Sequence, residues 1–457
     1  MQFLSRHFGR RGSAALVFLG VAALVACGIR DATSAQSQIS DAEANRIISD
    51  VMKRVERDYV VPVDRQKLVD KALNGMLTGL DPHSSYMDPI EYERLKNDMA
   101  GEFAGLGMQI TEQNGLPQVL APIDDTPAAR AGIEPGDRIT KIDGQPTTGM
   151  SLDDVVTRLR GEVGSSVKLT LERADRPAFD VTLTRAIIQV RSVKSALQSN
   201  GIGYARISSF VDNTQDELTA AIAQLKRQAG GHLTGFILDL REDPGGELKA
   251  SVDVTGDFID GGGTVVMTRA RDHADDRAYN ASGGSDLIRN VPMVVLIDGA
   301  SASAAEIVAG ALQDRHRAVL MGTRSFGKGS VQSIVPLNSG GALRMTTALY
   351  YTPNGRSIQG TGLQPDIVVS VPKDQAVANA LLLRESDFFG ALQNPGAGPA
   401  KSTAPPKPKA SSVDADTDRP IKPALLSTAQ DAQLKAAVEY LHGLAAKGPQ
   451  SPAGSQQ

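Results

Sequence analysis

The spacing of apolar residues changes twice along the chain. Over residues 41–100 apolar side chains recur at helical intervals, which predicts a helical N-terminal segment. Over 101–190 short runs alternate between apolar and polar residues, which predicts strands, with one amphipathic helix at 151–160. From about residue 201 apolar runs alternate with helical patterns, an order that is typical of an α/β domain.

These patterns predict an α/β multidomain protein. Its expected parts are a helical N-terminal domain at 41–100, a β-rich domain at 101–190, an α/β domain at 191–385, a disordered Pro/Ala/Ser/Lys-rich linker at 394–427 and a C-terminal helix at 428–446.

The sequence does not decide the role of two of these parts, the segment at 80–99 and the amphipathic helices. LDPHSSYMDP (80–89) predicts a loop before a short helix at 90–99, and a simple helical cap would explain both. The helices of 41–100 and the helix at 428–446 each have an apolar face. That face suits a homo-oligomer or packing against the chain's own domain equally well.

The N-terminus has the pattern of a bacterial export signal. Basic residues precede an apolar run at 13–26 that is too short to span a membrane comfortably. Leu-Val-Ala-Cys at 24–27 resembles a lipobox, which would place a lipid on Cys27; the alternatives are cleavage after Ala35 or a retained anchor. We therefore expect residues 1–35 to be an export signal or lipoprotein anchor. The expected location is the cell envelope, on the periplasmic side, with membrane contact through this segment alone.

Composition narrows the chemistry further. The net charge of −4 over 457 residues gives no reason to expect a nucleic-acid partner. Cys27 is the only cysteine, so a chain that has lost its signal can form no disulfide, cysteine nucleophile or zinc–thiolate site.

A pair of serines lies in a small-residue turn between a predicted buried strand and a predicted helix. The segment DGASASAAE (298–306) follows the strand at 291–297 and leads into the helix at 304–314. Such a turn can expose a hydroxyl, so Ser301 and Ser303 are candidate nucleophiles. None of the six histidines lies in a context that is typical of a Ser-His-Asp triad.

Lys328, in SFGKGSVQ, is the candidate base. An ordinary lysine with a pKa of about 10.4 is neutral in about one molecule in 2,500 at pH 7, whereas a pKa of about 8 leaves roughly a tenth neutral. Burial in an apolar pocket without a carboxylate partner would lower the pKa in this way. No acidic residue lies within ten positions of Lys328, and Gln332 can orient the amine without adding charge. The alternative is a solvated surface lysine.

Three other motifs compete with this assignment and are weaker. GTRSFGKGS (322–330) nearly matches a P-loop, but Gly329 stands where a hydroxyl would hold magnesium, and a strand rather than a helix follows. SSVK (165–168) matches S-x-x-K at the edge of a predicted strand, where a chance match is the simpler explanation. His316 would lie at the far end of the helix that starts near Ser303, roughly 20 Å away.

The segment LREDPGG (240–246) is a candidate oxyanion site. Pro-Gly-Gly after a buried strand offers the backbone N–H groups of Gly245 and Gly246, and the N–H of Ala304 is the other candidate donor. The helix that begins near Ser303 would add its positive end. An ordinary turn is the alternative.

The β-rich part resembles a PDZ domain. The resemblance rests on the words GLGM, TPAARAGIEPGDRI and IDG in that order. It implies that the backbone N–H groups around Leu106, Gly107 and Met108 bind the C-terminal carboxylate of a peptide, which adds as a strand to the sheet edge.

Four motifs together resemble the C-terminal processing peptidases, or tail-specific proteases, over residues 41–371. They are LREDPGG, DGASASAAEIVAGALQD, GTRSFGKGSVQ and TTALYYTPNGRSIQGTGLQPDI. The resemblance implies a crotonase-like α/β peptidase domain in which Ser303 is the nucleophile, Lys328 the base and Gln332 its orienting partner. Ser301 is then a turn residue.

The chain departs from the family pattern at three positions. Asp243 replaces the Asn of L-R-x-N-P-G-G, Asp298 replaces an Asn, and Ala305 replaces the last serine of S-A-S-A-S-E.

The resulting expectation is a serine endopeptidase that needs no metal or cofactor. Its substrates would be proteins or peptides with free C-termini, and the resemblance leaves room for an adaptor or activator protein. The rival hypotheses are a PDZ adaptor on a degenerate hydrolase domain, which the intact Ser303, Lys328 and Gln332 disfavour, and an acyltransferase or hydratase, which the peptide-binding module disfavours.

Overall fold

The computed structural model describes residues 39–113, 115–123, 126–173, 176–189, 191–376, 383–395, 421 and 425–447. The predicted export signal with Cys27 and most of the predicted linker lie outside these residues. Within them, no helix is both long and apolar enough to cross a membrane.

The chain divides into two compact units, with the break after Lys71. The first contains helix α1 (Asp41–Asp58) and the start of α2 (Arg65–Thr78). Ser40 ends the extended approach to α1 and accepts a hydrogen bond from the N–H of Glu43 at 3.2 Å, which satisfies one free amide of the first turn.

In the second unit, the rest of α2 is followed by a short strand and a capped helix. Strand β1 (Ser85–Met87) is followed by α3 (Pro89–Met99). Asp88 and Glu91 form a capping box at the start of α3, with Pro89 at its first position.

A separate antiparallel sheet follows. Its strands are β2 (Glu102–Gly105), β3 (Met108–Gln113), β4 (Leu116–Pro122), β5 (Arg138–Ile142), β6 (Gln145–Pro146), β7 (Ser166–Arg173), β8 (Arg176–Thr184) and β9 (Ala186–Gln189), with helices α4 (Pro127–Arg130) and α5 (Leu152–Leu159). The main order is β3-β4-β5-β7-β8, β6 pairs with β5, and β2 pairs with β9. Strand β3 therefore lies at an edge.

The α/β part contains the remaining strands and helices. They are β10 (Val193–Leu197), β11 (Ile202–Ile207), α6 (Thr214–Gln228), β12 (Gly235–Asp239), α7 (Leu248–Gly256), β13 (Gly263–Ala270), β14 (Arg277–Ala281), β15 (Met293–Ile297), α8 (Ala304–Asp314), β16 (Val319–Gly322), β17 (Ser330–Pro336), β18 (Ala342–Tyr351), β19 (Ile367–Val368) and α9 (Ala432–Lys447).

One sheet of this part positions the site. Its order is β10-β11-β12-β15-β16-β19, and all neighbours except β10 and β11 run parallel. Every residue of β12 and β15 is buried, as expected for a sheet that is covered on both faces. Residues of α6, α7 and α8 share a core with one face. The mixed α/β architecture expected from the sequence is confirmed.

A second sheet packs against α7 and α8. It has the order β1-β18-β13-β14, with β17 also paired to β18. Strand β1 thus joins the predicted N-terminal cap to a strand more than 250 positions away, through Ser85 opposite Arg344.

The C-terminal helix packs against its own domain. Leu434, Ala437 and Leu441 of α9 are buried with residues of β11, β12 and β15 on the second face of the parallel sheet. At the start of α9, Asp431 accepts two hydrogen bonds from the fully buried guanidinium of Arg241, at 3.0 and 2.7 Å. The apolar face of α9 therefore packs against the chain's own domain, which is one of the two possibilities that the sequence left open.

Candidate active site

Three predicted motifs meet at one edge of the parallel sheet. Strands β12, β15 and β16 are neighbours, and their carboxyl ends lead into LREDPGG, DGASASAAE and GTRSFGKGS respectively. In open parallel sheets this edge is where sites form, because the loops after adjacent strands lie side by side.

Ser303 stands immediately before α8 in a strained conformation. Residues other than glycine rarely adopt its backbone angles, a φ of 53° and a ψ of −113°. Such a conformation destabilises the folded state by about 1–3 kcal/mol per residue. Its N–H donates to Glu306 Oε2 at 2.9 Å. Ser301, by contrast, is buried in the turn, where its hydroxyl donates to the carbonyl of Leu240 at 2.7 Å.

Glu306 ties the serine turn to the lysine loop, a role that the sequence analysis did not assign. Oε2 accepts the N–H groups of Ser303 and Lys328, both at 2.9 Å. Oε1 accepts the Ser325 hydroxyl at 2.5 Å and the Gly327 N–H at 2.8 Å. Burial raises the pKa of Glu306 to about 7, and the four hydrogen bonds act in the opposite direction by stabilising the carboxylate. An acidic residue three positions after a helix N-cap was the available sequence signal.

Lys328 is half-buried, and burial lowers its pKa. The expectation that it has no carboxylate nearby is wrong, because Glu385, Glu306 and Asp81 all act to raise that pKa. These acids come from distant parts of the chain, so the ten-residue window around the lysine does not contain them. Among the described residues no hydrogen bond joins Lys328 to Ser303.

Tyr350 is a second residue that the sequence analysis missed. It is buried on β18 with its hydroxyl beside Ser303. Burial raises the pKa of Tyr350, and the interaction with the Ser303 hydroxyl acts in the opposite direction. The motif TTALYYT contains Tyr350, but nothing in the motif indicates that its side chain faces the turn of Ser303, 47 residues earlier.

Gln332 lies on β17 at a bulge in its pairing with β18. Its Nε2 donates to Ser330 Oγ at 3.0 Å and to Thr346 Oγ1 at 3.2 Å. Across the described residues it makes no hydrogen bond with Lys328, so its position is fixed by hydroxyl groups.

The candidate oxyanion amides lie against the serine. A Cβ on Gly245 would fall 2.8 Å from the Ala304 nitrogen and 2.9 Å from Ser303 Cβ. The Gly245 N–H donates to Asp243 Oδ1 at 2.8 Å, whereas the N–H groups of Gly246 and Ala304 have no acceptor within the described part of the chain. Gly246 has a φ of 147°, and a Cβ there would lie 2.0 Å from the Phe210 carbonyl oxygen. One free amide, that of Ala304, therefore follows Ser303 directly, and the other, that of Gly246, follows the glycine that lies against Ser303.

Two aspartates occupy positions where the family pattern has asparagine. Burial raises the pKa of Asp243 well above its ordinary value, against the Gly245 N–H. Burial likewise raises the pKa of Asp298, whose Oδ1 accepts the N–H groups of Glu242 and Ala300. A carboxyl that keeps its proton has the shape of an asparagine side chain with one acceptor oxygen. The third departure, Ala305, is fully buried in the apolar core, where a methyl group needs no partner.

The PDZ-like loop also presents free amides. The N–H groups of Leu106 and Gly107 donate to no acceptor among the residues described. Gly107 has a φ of 77°, and Met108 begins the edge strand β3.

His316, the rejected alternative base, follows the opposite end of α8. No group of three or more metal-binding side chains is found in the ranges that the structure describes.

Comparison with protein families gives three matches. Residues 201–369 match Peptidase family S41, residues 118–173 match the PDZ domain, and residues 21–90 match the N-terminal domain of the activating protease CtpB.

Individual relatives agree with these matches. Among solved structures, the photosystem II D1 C-terminal processing protease is 30% identical, with a TM-score of 0.43, over 72% of this chain and 94% of that one. The Bacillus subtilis carboxy-terminal processing protease CtpA is 34% identical over 70% of this chain and 68% of its own length. The Bartonella bacilliformis carboxy-terminal-processing protease is 47% identical over 75% of this chain and 79% of its own length. On this similarity the chain belongs to the carboxy-terminal-processing proteases and is a serine-type peptidase.

Proposed function

We propose that this protease cleaves protein tails in the cell envelope with a Ser303/Lys328 dyad and an acyl-enzyme intermediate. The observation that carries the proposal is the shared carboxylate of Glu306, which receives the backbone N–H of both residues. Through these two hydrogen bonds Glu306 holds the serine turn and the lysine loop next to each other.

In the proposed reaction Ser303 Oγ attacks the carbonyl carbon of the scissile peptide bond, and Lys328 accepts the hydroxyl proton. The carbon–nitrogen bond then breaks, and Lys328 passes that proton to the leaving nitrogen. A water molecule, deprotonated by Lys328, hydrolyses the ester and releases Ser303. The lowered pKa of the lysine supports this role, because only the neutral amine can accept a proton.

The free amides of Gly246 and Ala304 would hold the negative oxygen of the tetrahedral intermediate. The amides of Leu106 and Gly107 would hold the carboxylate of the substrate tail. The basic and apolar pattern of residues 1–35 supports export to the periplasm.

The decisive experiment is proteolysis of a flexible protein with an apolar C-terminus by a chain without its first 35 residues, between pH 6 and 10. We expect Ser303→Ala and Lys328→Ala each to lower kcat by about 10⁴-fold or more. His316→Ala is the matched control and should retain wild-type activity. Cleavage that survives either of the first two substitutions would refute the dyad.

A further inference from the structure

The loop DPHSSYM (81–87) lies against β18 and sends hydrogen bonds in two directions. Within the loop, the Ser84 hydroxyl donates to Asp81 Oδ2 at 2.7 Å. The same hydroxyl accepts the N–H of Thr346 on β18 at 3.1 Å. The loop is therefore fixed to a strand of the peptidase domain and is more than a cap for α3.

The first direction leads from Asp81 to Gln332. Asp81 Oδ1 accepts the Thr346 hydroxyl at 3.1 Å, and that hydroxyl accepts Gln332 Nε2 at 3.2 Å. The hydroxyl of Thr346 thus connects the loop to Gln332 through two hydrogen bonds.

The second direction leads from His83 to the residue after Lys328. His83 Nε2 lies 2.8 Å from Glu385 Oε2. Glu385 Oε1 accepts Gln359 Nε2 at 3.0 Å, and Gln359 Oε1 accepts the Gly329 N–H at 2.9 Å. An ionised carboxylate can only accept hydrogen bonds, so Nε2 is the donor in the His83–Glu385 contact.

Glu385 is a buried charge that acts on Lys328. Its side chain is only 1% exposed, and it is the strongest of the charges that raise the lysine pKa. Glu306 and Asp81 act in the same direction, and Arg344 acts against them. A carboxylate that paired fully with the ammonium would hold the proton on the lysine and prevent it from acting as a base.

We propose that His83 is a positioning residue that engages Glu385, withholds that carboxylate from Lys328 and so keeps the lysine available as the base. The inference rests on the proposed Ser303/Lys328 function. It assigns the loop at 81–87 to the peptidase site, which is formed elsewhere by residues at the ends of β12, β15 and β16.

The test is the pH dependence of kcat/KM between pH 6 and 10, measured on the same flexible protein substrate with the full second unit present. Without His83, Glu385 Oε2 loses its hydrogen-bond donor, and the charge of Glu385 acts more strongly on Lys328. His83→Ala should therefore move the midpoint of the rise in activity to higher pH by about one unit. Glu385→Gln should move it to lower pH, and the double variant should behave like Glu385→Gln alone.

A matched control is His273→Ala, because His273 also contacts a carboxylate, Asp276, at 3.1 Å, but at an exposed hairpin. It should leave the midpoint unchanged. Thermal unfolding of each variant separates a loss of fold from a change in the midpoint. If His83→Ala fails to fold, His83→Leu, which fills the space without a hydrogen-bond donor, takes its place, and an unchanged midpoint in that variant overturns the inference.

The outcomes separate the two proposals. Unchanged midpoints in His83→Ala and Glu385→Gln, with Lys328→Ala inactive, would overturn this inference and leave the dyad intact. Full activity of Lys328→Ala would overturn both.

Discussion

At the residue scale, the motifs that form the site contain three buried acids. Burial raises the pKa of Asp243, of Asp298 and, to about 7, of Glu306. An acid that keeps its proton adds no negative charge to the site. The replacement of asparagine by aspartate at two positions is therefore compatible with a neutral site, provided that the pH stays below the raised pKa values.

The first prediction concerns Asp243→Asn. Between the unfolded pKa of about 3.9 and the raised folded value, the unfolded chain releases a proton that the native state retains, so stability is lost as the pH rises. Asparagine removes this loss. We expect the variant to unfold at a higher temperature than wild type at pH 8, by about 2–4 °C for each kcal/mol regained, and by less at pH 5.

Asp180→Asn is the control of opposite sign. Hydrogen bonds from Lys168 and Thr170 lower the pKa of Asp180. This acid therefore contributes stability above its unfolded pKa, and its replacement should weaken the fold slightly at pH 8. Equal effects of the two substitutions at both pH values would contradict the assignment of a raised pKa to Asp243.

The sequence alone predicts which residue types are needed, but it cannot predict their surroundings. Ser303, Lys328 and the glycine pair stand in recognisable local motifs. The carboxylates that act on Lys328 come from positions 81, 306 and 385, and only the fold brings them together. Tyr350 is missed for the same reason, because strand alternation does not reveal which turn a side chain faces.

At the element scale, the parallel strands and α9 are held together by a buried ion pair. Arg241 follows β12 and binds both Asp239 and Asp431, and all three side chains are fully buried. The amphipathic spacing of α9 predicts a helix with one apolar face. It does not say which surface covers that face, since an oligomer and the chain's own sheet offer the same apolar character.

The prediction at this scale is that Asp431→Ala lowers the free energy of unfolding by about 3–5 kcal/mol, because it leaves the Arg241 charge buried without one of its partners. Urea unfolding of the second unit measures the loss. Glu439→Ala removes an exposed partner of Lys435 on the same helix and should cost less than about 1 kcal/mol. Similar losses for both variants would show that the buried pair is not a main source of stability.

At the scale of the whole molecule, a PDZ domain precedes a peptidase domain in one chain. Strand β3 leaves one edge of the PDZ-like sheet open, and the loop before it presents the free amides of Leu106 and Gly107. The word order of a PDZ domain predicts this module well, because its glycine turns and alternating strands are local features. Strand β1, by contrast, pairs with a strand that is distant in sequence, so the same analysis interprets its residues as part of a helical cap.

The corresponding prediction is that a substrate with an amidated C-terminus is cleaved more slowly than the same peptide with a free carboxylate. Loss of charge-assisted hydrogen bonds of about 1.5–3 kcal/mol corresponds to a KM at least about tenfold higher. Acetylation of the peptide N-terminus is the control and should have little effect. Equal cleavage of the free and amidated forms would exclude carboxylate recognition by the 105–108 loop.

The pairing of Arg241 with Asp431 also has a consequence for the order in which the protein matures. Arg241 lies two positions before Asp243, and one of its two carboxylate partners, Asp431, lies 190 positions further along the chain. A ribosome or an export channel delivers residue 431 long after the serine and the lysine. Until then Arg241 can pair only with Asp239, and burying its guanidinium in the native position without Asp431 is less favourable. The parallel sheet therefore gains the full stability of this pairing only after the segment at the start of α9 has been delivered.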